Sequence, residues 1–170
     1  MVIDLNTMIS VKELRNHLFP SVNGTEHAAF LFSKIEGDIL KIVDVSLLNS
    51  EDYDFQSLYH IQIRTEVIGH LIKRAHDLNA SLVEVHSHIE QREAKFPYSD
   101  WSGFEEFVPH ILWRLPDRPY SALVFTRKTF DAIYWKKDFD QMRPIEKLVA
   151  GSYSYYPTKL SKKPDRYYGL

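Results

Sequence analysis

The stretch SLVEVHSHIEQREAKFPYSD, residues 81–100, combines an apolar strand pattern, two histidines at its end and an aspartate at the start of a helical pattern. His86 and His88 are two residues apart, and side chains alternate across a strand, so both imidazoles project from one face. Two imidazoles on one face can bind one zinc ion at about 2.0–2.1 Å each. Asp100, twelve residues after His88, could fold back over the intervening loop and add a carboxylate. With a water, these three ligands would form an open tetrahedral site of the catalytic kind.

A His-x-His pair by itself is more often an ordinary strand end than a metal site. Its position favours a metal site, because the pair ends an apolar strand and precedes a polar loop, where α/β proteins place their sites. Amidohydrolase-type barrels also use such a pair, but they need roughly 250 residues. Lactamase-type zinc hydrolases continue the pair as His-x-His-x-Asp-His, whereas Ile89, Glu90 and Gln91 follow it in this chain.

The segments before this stretch predict a helix, a hairpin, a strand and a second helix. Ser10 and Glu13 have the spacing of a capping box, which predicts a short helix that ends at Pro20. Residues 26–49 predict two strands joined at EGD, the first of them covered on both faces. EDYDFQ is expected to be a loop and LYHIQI a strand. A helix should follow, with Thr65 as its cap and Asn79 as its stop.

The segments after it complete one α/β domain with a mixed sheet between helices. SDWSGFEEFVPHILWRL predicts a helix from Ser99 that stops before Pro116 and is kinked or divided by Pro109. YSALVFT and FDAIYWK predict a further strand pair. We expect residues 1–150 to form the domain and residues 151–170 a C-terminal tail, either packed on it or flexible.

Composition excludes several classes of function. The 170 residues carry a formal net charge of −2 with scattered Lys and Arg, so no basic stripe for nucleic acid is present. No apolar run approaches the ~20 residues of a membrane span, and MVIDLNTMIS lacks the basic region of a signal peptide. We therefore expect a cytoplasmic protein. The absence of cysteine leaves His, Asp and Glu as metal ligands.

A metal hydrolase also needs a carboxylate that takes the proton of the attacking water without binding the metal. The spacing does not choose among four candidates: Glu26, Glu84, Glu90 and Glu93. Glu84 shares the face of His86 and suits a hydrogen bond to its imidazole. Six histidines lack a comparable partner and are expected on the surface or in the core: His17, His27, His60, His70, His76 and His110.

These residues resemble the JAMM (MPN/JAB) metallopeptidases, whose signature is an upstream Glu, then His-Ser/Thr-His-Pro, a loop, and Ser-x-x-Asp opening a helix. The upstream Glu of the signature has its counterpart in NGTEHAAFLF, and the rest of the signature resembles VEVHSHIEQREAKFPYSDWSGF. The order of elements is also similar, from about residue 11 to residue 135. The resemblance implies a cytidine-deaminase-like domain with a curved mixed sheet flanked by helices. It also implies zinc bound by His86, His88 and Asp100, with Glu26 as the base.

By the same resemblance, the protein would be a zinc-dependent isopeptidase or peptidase. The family cleaves after the C-terminus of ubiquitin or ubiquitin-like proteins, so the implied substrate is a ubiquitin-like precursor or conjugate in a bacterial conjugation system. E1-like and E2-like enzymes would be further partners. A peptidase that releases an amino acid from a sulfur-carrier protein would use the same site. A substrate tail would lie along a sheet edge, bordered by the loop IEQREAKFPY, which we expect to be mobile.

The sequence departs from the family pattern in the loop. Ile89 replaces the proline after the second histidine, and the loop is one residue longer than is usual. Pro97 replaces the serine that helps to stabilise the oxyanion. Ser99 could substitute for that serine, or could instead be the N-cap of a helix that begins at Asp100.

The departure at Pro97 supports an alternative function, that of a weak or inactive scaffold of the same fold. Such a scaffold would bind a ubiquitin-like protein or its E1-like and E2-like enzymes without cleaving anything. Five tyrosines near the C-terminus could anchor the partner, or could pack back on the domain: Tyr153, Tyr155, Tyr156, Tyr167 and Tyr168.

Overall fold

A computed structural model describes residues 1–20 and 24–164 of the chain. In this part of the chain, three α-helices are α1 (Val11–Leu18), α2 (Thr65–Asp77) and α3 (Tyr98–Arg114). The strands are β1 (Val2–Asp4), β2 (Ala28–Glu36), β3 (Ile39–Leu47), β4 (Tyr53–Gln56), β5 (Ile61–Ile63), β6 (Ser81–Ser87), β7 (Tyr120–Phe125), β8 (Phe130–Trp135), β9 (Arg143–Pro144), β10 (Lys147–Ala150) and β11 (Tyr153–Tyr155). None of the helices in residues 1–20 and 24–164 is long and apolar enough to cross a membrane.

The described strands form one strongly curled mixed sheet of nine strands, in the order β11-β10-β1-β3-β2-β6-β7-β8-β9. Three of its pairings are parallel, namely β1 with β10, β1 with β3, and β6 with β7. β4 and β5 pair with each other in a separate hairpin. The expected α/β class with a mixed, curved sheet is therefore confirmed.

The central strands of the sheet are buried on both faces, as the apolar run AAFLF predicts for β2. Alternate residues of β2 enter two separate cores. Ala28, Phe30 and Phe32 pack in the core that includes α2 and α3. Ala29 and Leu31 pack on the other face, in the core that includes α1. The helices therefore cover both faces of the central strands, and the carboxyl end of β6 lies under α3.

The local signals for helix ends are partly confirmed. Ser10 and Glu13 form the capping box, with Glu13 N–H donating to Ser10 Oγ at 3.1 Å and Ser10 N–H to Glu13 Oε2 at 2.8 Å. Asn79 follows α2 with a φ of 49°, the left-handed conformation common after a helix. Thr65 as the cap of α2 is wrong, because Arg64 is the N-cap and Thr65 is the first helical residue.

The third helix begins one residue before the predicted Ser99 and is not divided by Pro109. Its buried residues, Trp101, Phe104, Val108 and Ile111, continue across the proline on one face. Packing of this face holds the helix together where local sequence favours a break.

EDYDFQ, expected to be a loop, contains β4, because Tyr53 and Phe55–Gln56 pair with β5. Residues 151–164, part of the tail expected to be either packed on the domain or flexible, contain β11 at the sheet edge and a hydrogen-bonded turn beyond it. β4 and β11 are too short to show a clear alternation of apolar and polar residues in the sequence. Tyr167 and Tyr168 lie outside the described residues.

Candidate metal centre

His86, His88 and Asp100 converge in the structure as a group that could hold a metal ion. The Nε2 atoms of the two histidines are 3.2 Å apart. Asp100 Oδ2 lies 3.2 Å from His86 Nε2 and 3.3 Å from His88 Nε2. These three atoms form a nearly equilateral triangle. Ligand atoms at about 2.0–2.1 Å from a tetrahedral zinc ion are separated by about 3.3–3.4 Å, so the triangle has the size that such an ion requires.

The sheet and α3 together produce this triangle. His86 is the penultimate residue of β6, between Ala28 of β2 and Val124 of β7. His88 follows the strand, and its N–H donates to the carbonyl of Phe125 at 2.8 Å. Asp100 lies in the first turn of α3. The two histidines thus come from a rigid central strand, and the carboxylate comes from the helix that covers its end.

Glu26 lies just before β2 and faces the same triangle. Its Oε1 is 3.9 Å from His88 Nε2, and the residue is 6% exposed. Its backbone is held by the β4–β5 hairpin, since Glu26 N–H donates to Ser57 O at 2.8 Å and Gln56 Nε2 donates to Glu26 O at 2.7 Å. Glu26 is therefore beside the ligand atoms without being one of the three.

Ser87, between the two histidines, fixes the chain next to Glu26. His27 N–H donates to Ser87 Oγ at 2.9 Å, and Ser87 N–H donates to His27 O at 2.9 Å. Because the side chain of Ser87 alternates with the two imidazoles, it points away from them and toward the strand that follows Glu26. Sequence reasoning did not assign this role, although the position between two same-face residues is a usable signal.

The electrostatic environment favours the charged forms of His86 and Asp100 and disfavours the ionised form of Glu26. Burial raises the pKa of Glu26 to about 7, although the neighbouring imidazoles oppose this shift. Burial disfavours the imidazolium of His86, but the carboxylates of Asp100 and Glu84 prevail and raise the pKa of His86 to about 10. Burial likewise opposes ionisation of Asp100, yet His86 and His88 hold its pKa well below the usual value.

Glu84 supports His86 from the side opposite the triangle. Its Oε1 lies 3.1 Å from His86 Nδ1, and its Oε2 accepts a hydrogen bond from the hydroxyl of Tyr120. Tyr120 is fully buried on β7, and burial next to Glu84 raises the pKa of its hydroxyl well above the ordinary value. Periodicity gave no sign of Tyr120, which belongs to a different strand. Unlike Nδ1 of His86, the buried Nδ1 of His88 has no hydrogen-bond partner within the described residues.

The start of α3 overturns one of the two expectations for Ser99, that of an N-cap. Pro97 is the N-cap and Ser99 is the second helical residue, so Ser99 is not the cap of a helix that begins at Asp100. Ser99 is exposed and lines a cavity that Glu26, His86 and Asp100 also line. Its place beside the triangle is therefore compatible with contact to a bound substrate.

The remaining acidic candidates and histidines are distributed elsewhere. Glu90 and Glu93 are exposed on the loop, in contrast to Glu26 and Glu84. Half-buried histidines are His17 and His27, and exposed ones are His60, His70, His76 and His110. His60 and His110 line the cavity, from opposite walls.

The cavity beside the triangle has a volume of about 780 Å³. One wall is β5 with the residues before it, and the other is α3. Phe30, Ile61, Ile63, Phe104 and Phe107 give it a largely apolar lining. Such a volume is sufficient for several residues of an extended chain or a small organic molecule.

Comparisons with known proteins show the fold alone. No family model matches the chain, and no curated protein matches it. Among solved structures, the fold of this chain is similar to the fold of protein DSY2949 from Desulfitobacterium hafniense, whose solution structure comes from a structural genomics consortium. The similarity has a TM-score of 0.55 at 17% identity and covers 88% of this chain and 92% of that one.

Proposed function

We propose that this chain is a zinc-dependent peptidase of the JAMM type that cleaves after the C-terminus of a ubiquitin-like protein. The observation that carries the proposal is the position of Glu26, a buried carboxylate 3.9 Å from His88 Nε2 and outside the three candidate ligands. A structural ion pair needs no such additional base. A hydrolytic site does, because the attacking water must lose a proton.

The donor set suits zinc, since imidazole nitrogens and a carboxylate oxygen are ligands that zinc accepts in open, three-residue sites. Zinc would supply a lowered water pKa and polarisation of the scissile carbonyl. Glu84 would hold His86 with Nδ1 protonated, so that Nε2 is free to bind the ion. Asp100 would complete the set through Oδ2.

The residues around the ligands would carry the proton and the developing charge. Glu26 Oε1 would accept the proton of the attacking water and later deliver it to the leaving amine. Ser99 would donate a hydrogen bond from its hydroxyl to the oxyanion, in place of the serine that Pro97 replaces.

The cavity would hold the substrate tail in an extended form. Ile61, Gln62 and Ile63 of β5 line it, and within the described residues β5 pairs with β4 alone. The other edge of β5 therefore offers main-chain groups for strand addition. A tail bound there would pass between β5 and α3 with its scissile bond toward Glu26.

The proposal is tested with purified protein in two steps. Metal analysis should find about one equivalent of zinc, and less than a tenth of an equivalent would contradict it. A panel of ubiquitin-like and sulfur-carrier proteins, each extended by a short C-terminal peptide, then tests cleavage by mass spectrometry. Glu26→Gln should retain zinc and lose cleavage. The exposed Glu90→Gln should retain both, and an active Glu26→Gln variant would refute the assigned base.

A second function, binding without turnover, is favoured by the structure of the loop. Pro97 caps α3 with no side-chain hydroxyl, and Ser99 is exposed rather than fixed at the site. Tyr153 and Tyr156 are also exposed, at 69% and 70%. A stable complex with a ubiquitin-like protein, without detectable cleavage over hours, would establish this function.

A further inference from the structure

A buried carboxylate two strands away from His86 anchors the C-terminal part of the described chain. Asp131, on β8, is fully buried. Its Oδ1 accepts a hydrogen bond from Lys159 N–H at 2.9 Å, and its Oδ2 accepts one from Ser161 N–H at 2.8 Å. Thr158 N–H donates to Phe130 O at 2.9 Å. We name residues 158–161 the C-terminal turn.

The C-terminal turn has a conformation that needs such an anchor. Lys159 has a φ of 57°, in the left-handed region that a residue with a side chain adopts at a cost of roughly 1 kcal/mol. The two hydrogen bonds from Lys159 and Ser161 to the Asp131 carboxylate compensate for this cost. They also satisfy a buried carboxylate that would be far more unfavourable without partners. Asp131 therefore specifies where the turn lies.

From this fixed position, two hydroxyls of the turn reach the loop between His88 and Asp100. Thr158 Oγ1 donates to the carbonyl of Ala94 at 2.6 Å. Ser161 Oγ accepts from the N–H of Phe96 at 3.0 Å. Ala94 and Phe96 are both buried, so the sequence-based expectation of a mobile loop does not extend to these two residues.

One of these two loop residues, Phe96, contacts the candidate ligand His86 and the residue that follows Asp100. The ring of Phe96 packs against the imidazole of His86, with centroids 5.8 Å apart. The carbonyl of Phe96 accepts a hydrogen bond from Trp101 Nε1 at 3.1 Å, and Trp101 directly follows Asp100. A shift of Phe96 would therefore move both the surroundings of His86 and the first turn of α3.

We propose that the C-terminal turn positions the loop between His88 and Asp100, so that metal affinity depends on Thr158 and Ser161 although neither touches the ligands. The inference rests on the metal centre of the proposed function and is independent of peptidase activity. Thr158, Ser161 and Asp131 are positioning residues. Eleven residues lie between His88 and Asp100, and ordering such a loop on metal binding would lower affinity unless the loop is already fixed.

The test is a double variant, Thr158→Val with Ser161→Ala, which removes both hydroxyls and leaves the backbone bonds to Asp131. The zinc Kd, measured by competition with a chromophoric chelator, should rise about tenfold, as for other residues that support ligands. In the metal-free protein, amide hydrogen exchange should accelerate at Phe96. The conservative pair Thr158→Ser with Ser161→Thr keeps the hydroxyls and should restore both values. Leu160→Ala, on the same turn, is the matched control and should resemble the wild type.

The outcomes separate positioning from simple stability. A double variant that melts at a lower temperature but binds zinc within twofold of the wild type would overturn the proposal. So would a control that weakens zinc binding equally. If the wild-type protein binds zinc but cleaves no substrate, the proposed peptidase function is refuted. The zinc Kd values of the variants would still decide the role of the turn.

Discussion

Glu84 Oε1 lies 3.1 Å from His86 Nδ1, on the side of the imidazole opposite the candidate ligand atom Nε2. The buried hydroxyl of Tyr120 holds the other oxygen of the same carboxylate. A carboxylate in this position fixes the tautomer and direction of the ring and raises its basicity as a ligand. The candidate site therefore includes residues from β6, β7, α3 and the segment before β2.

Glu84→Gln should weaken zinc binding about tenfold, because a neutral amide supports the imidazole less well than a carboxylate does. Competition with a chelator at fixed pH measures the change in Kd. Glu93→Gln, on the exposed part of the loop, is the control and should leave Kd unchanged. Equal affinity of Glu84→Gln and wild type would show that Glu84 does not support the ligand.

Zinc affinity should rise with pH over the neutral and alkaline range. In the metal-free protein the pKa of His86 is about 10, so near pH 8 a metal ion must displace its proton. The apparent association constant should increase about tenfold per pH unit between pH 7 and pH 9. Calorimetry in two buffers of different ionisation enthalpy should detect release of about one proton per zinc bound. Binding without proton release would contradict this.

Glu26→Gln should stabilise the metal-free protein in a pH-dependent way. The folded-state pKa of Glu26, about 7, is above its unfolded value, so the wild type loses stability as pH rises from about 4.5 to about 7. Glutamine has no charge to bury, and the gain should be on the order of 2 kcal/mol at pH 8 and near zero at pH 4.5. Urea unfolding at the two pH values measures it. A pH-independent difference would show that Glu26 is not perturbed by burial.

Ser99→Ala should lower kcat about a hundredfold if Ser99 supplies the oxyanion donor, because one such donor contributes roughly 3 kcal/mol. The zinc Kd should not change, since Ser99 is not among the candidate ligands. Ser102→Ala, at another exposed position of α3, is the matched control. An unaltered kcat would assign the oxyanion to other donors.

Local patterns in the sequence determined a large part of the fold and of the candidate ligand set. Ser10 and Glu13 cap α1 through contacts three residues apart, and AAFLF indicated a strand buried on both faces. The same-face projection of His86 and His88 follows from the alternation of a strand. Such features involve residues close in sequence, so spacing is sufficient to predict them.

Tertiary structure decided which distant groups meet at these ligands. Spacing alone left four carboxylates as candidate bases, and only the family resemblance implied Glu26. The structure puts Glu26 beside the triangle because Gln56 and Ser57 hold its backbone. Tyr120 reaches Glu84 from a neighbouring strand, and Asp131 fixes a turn that binds the loop before Asp100. These contacts join residues far apart in the chain, where the sheet pairing, rather than any local period, sets the distance.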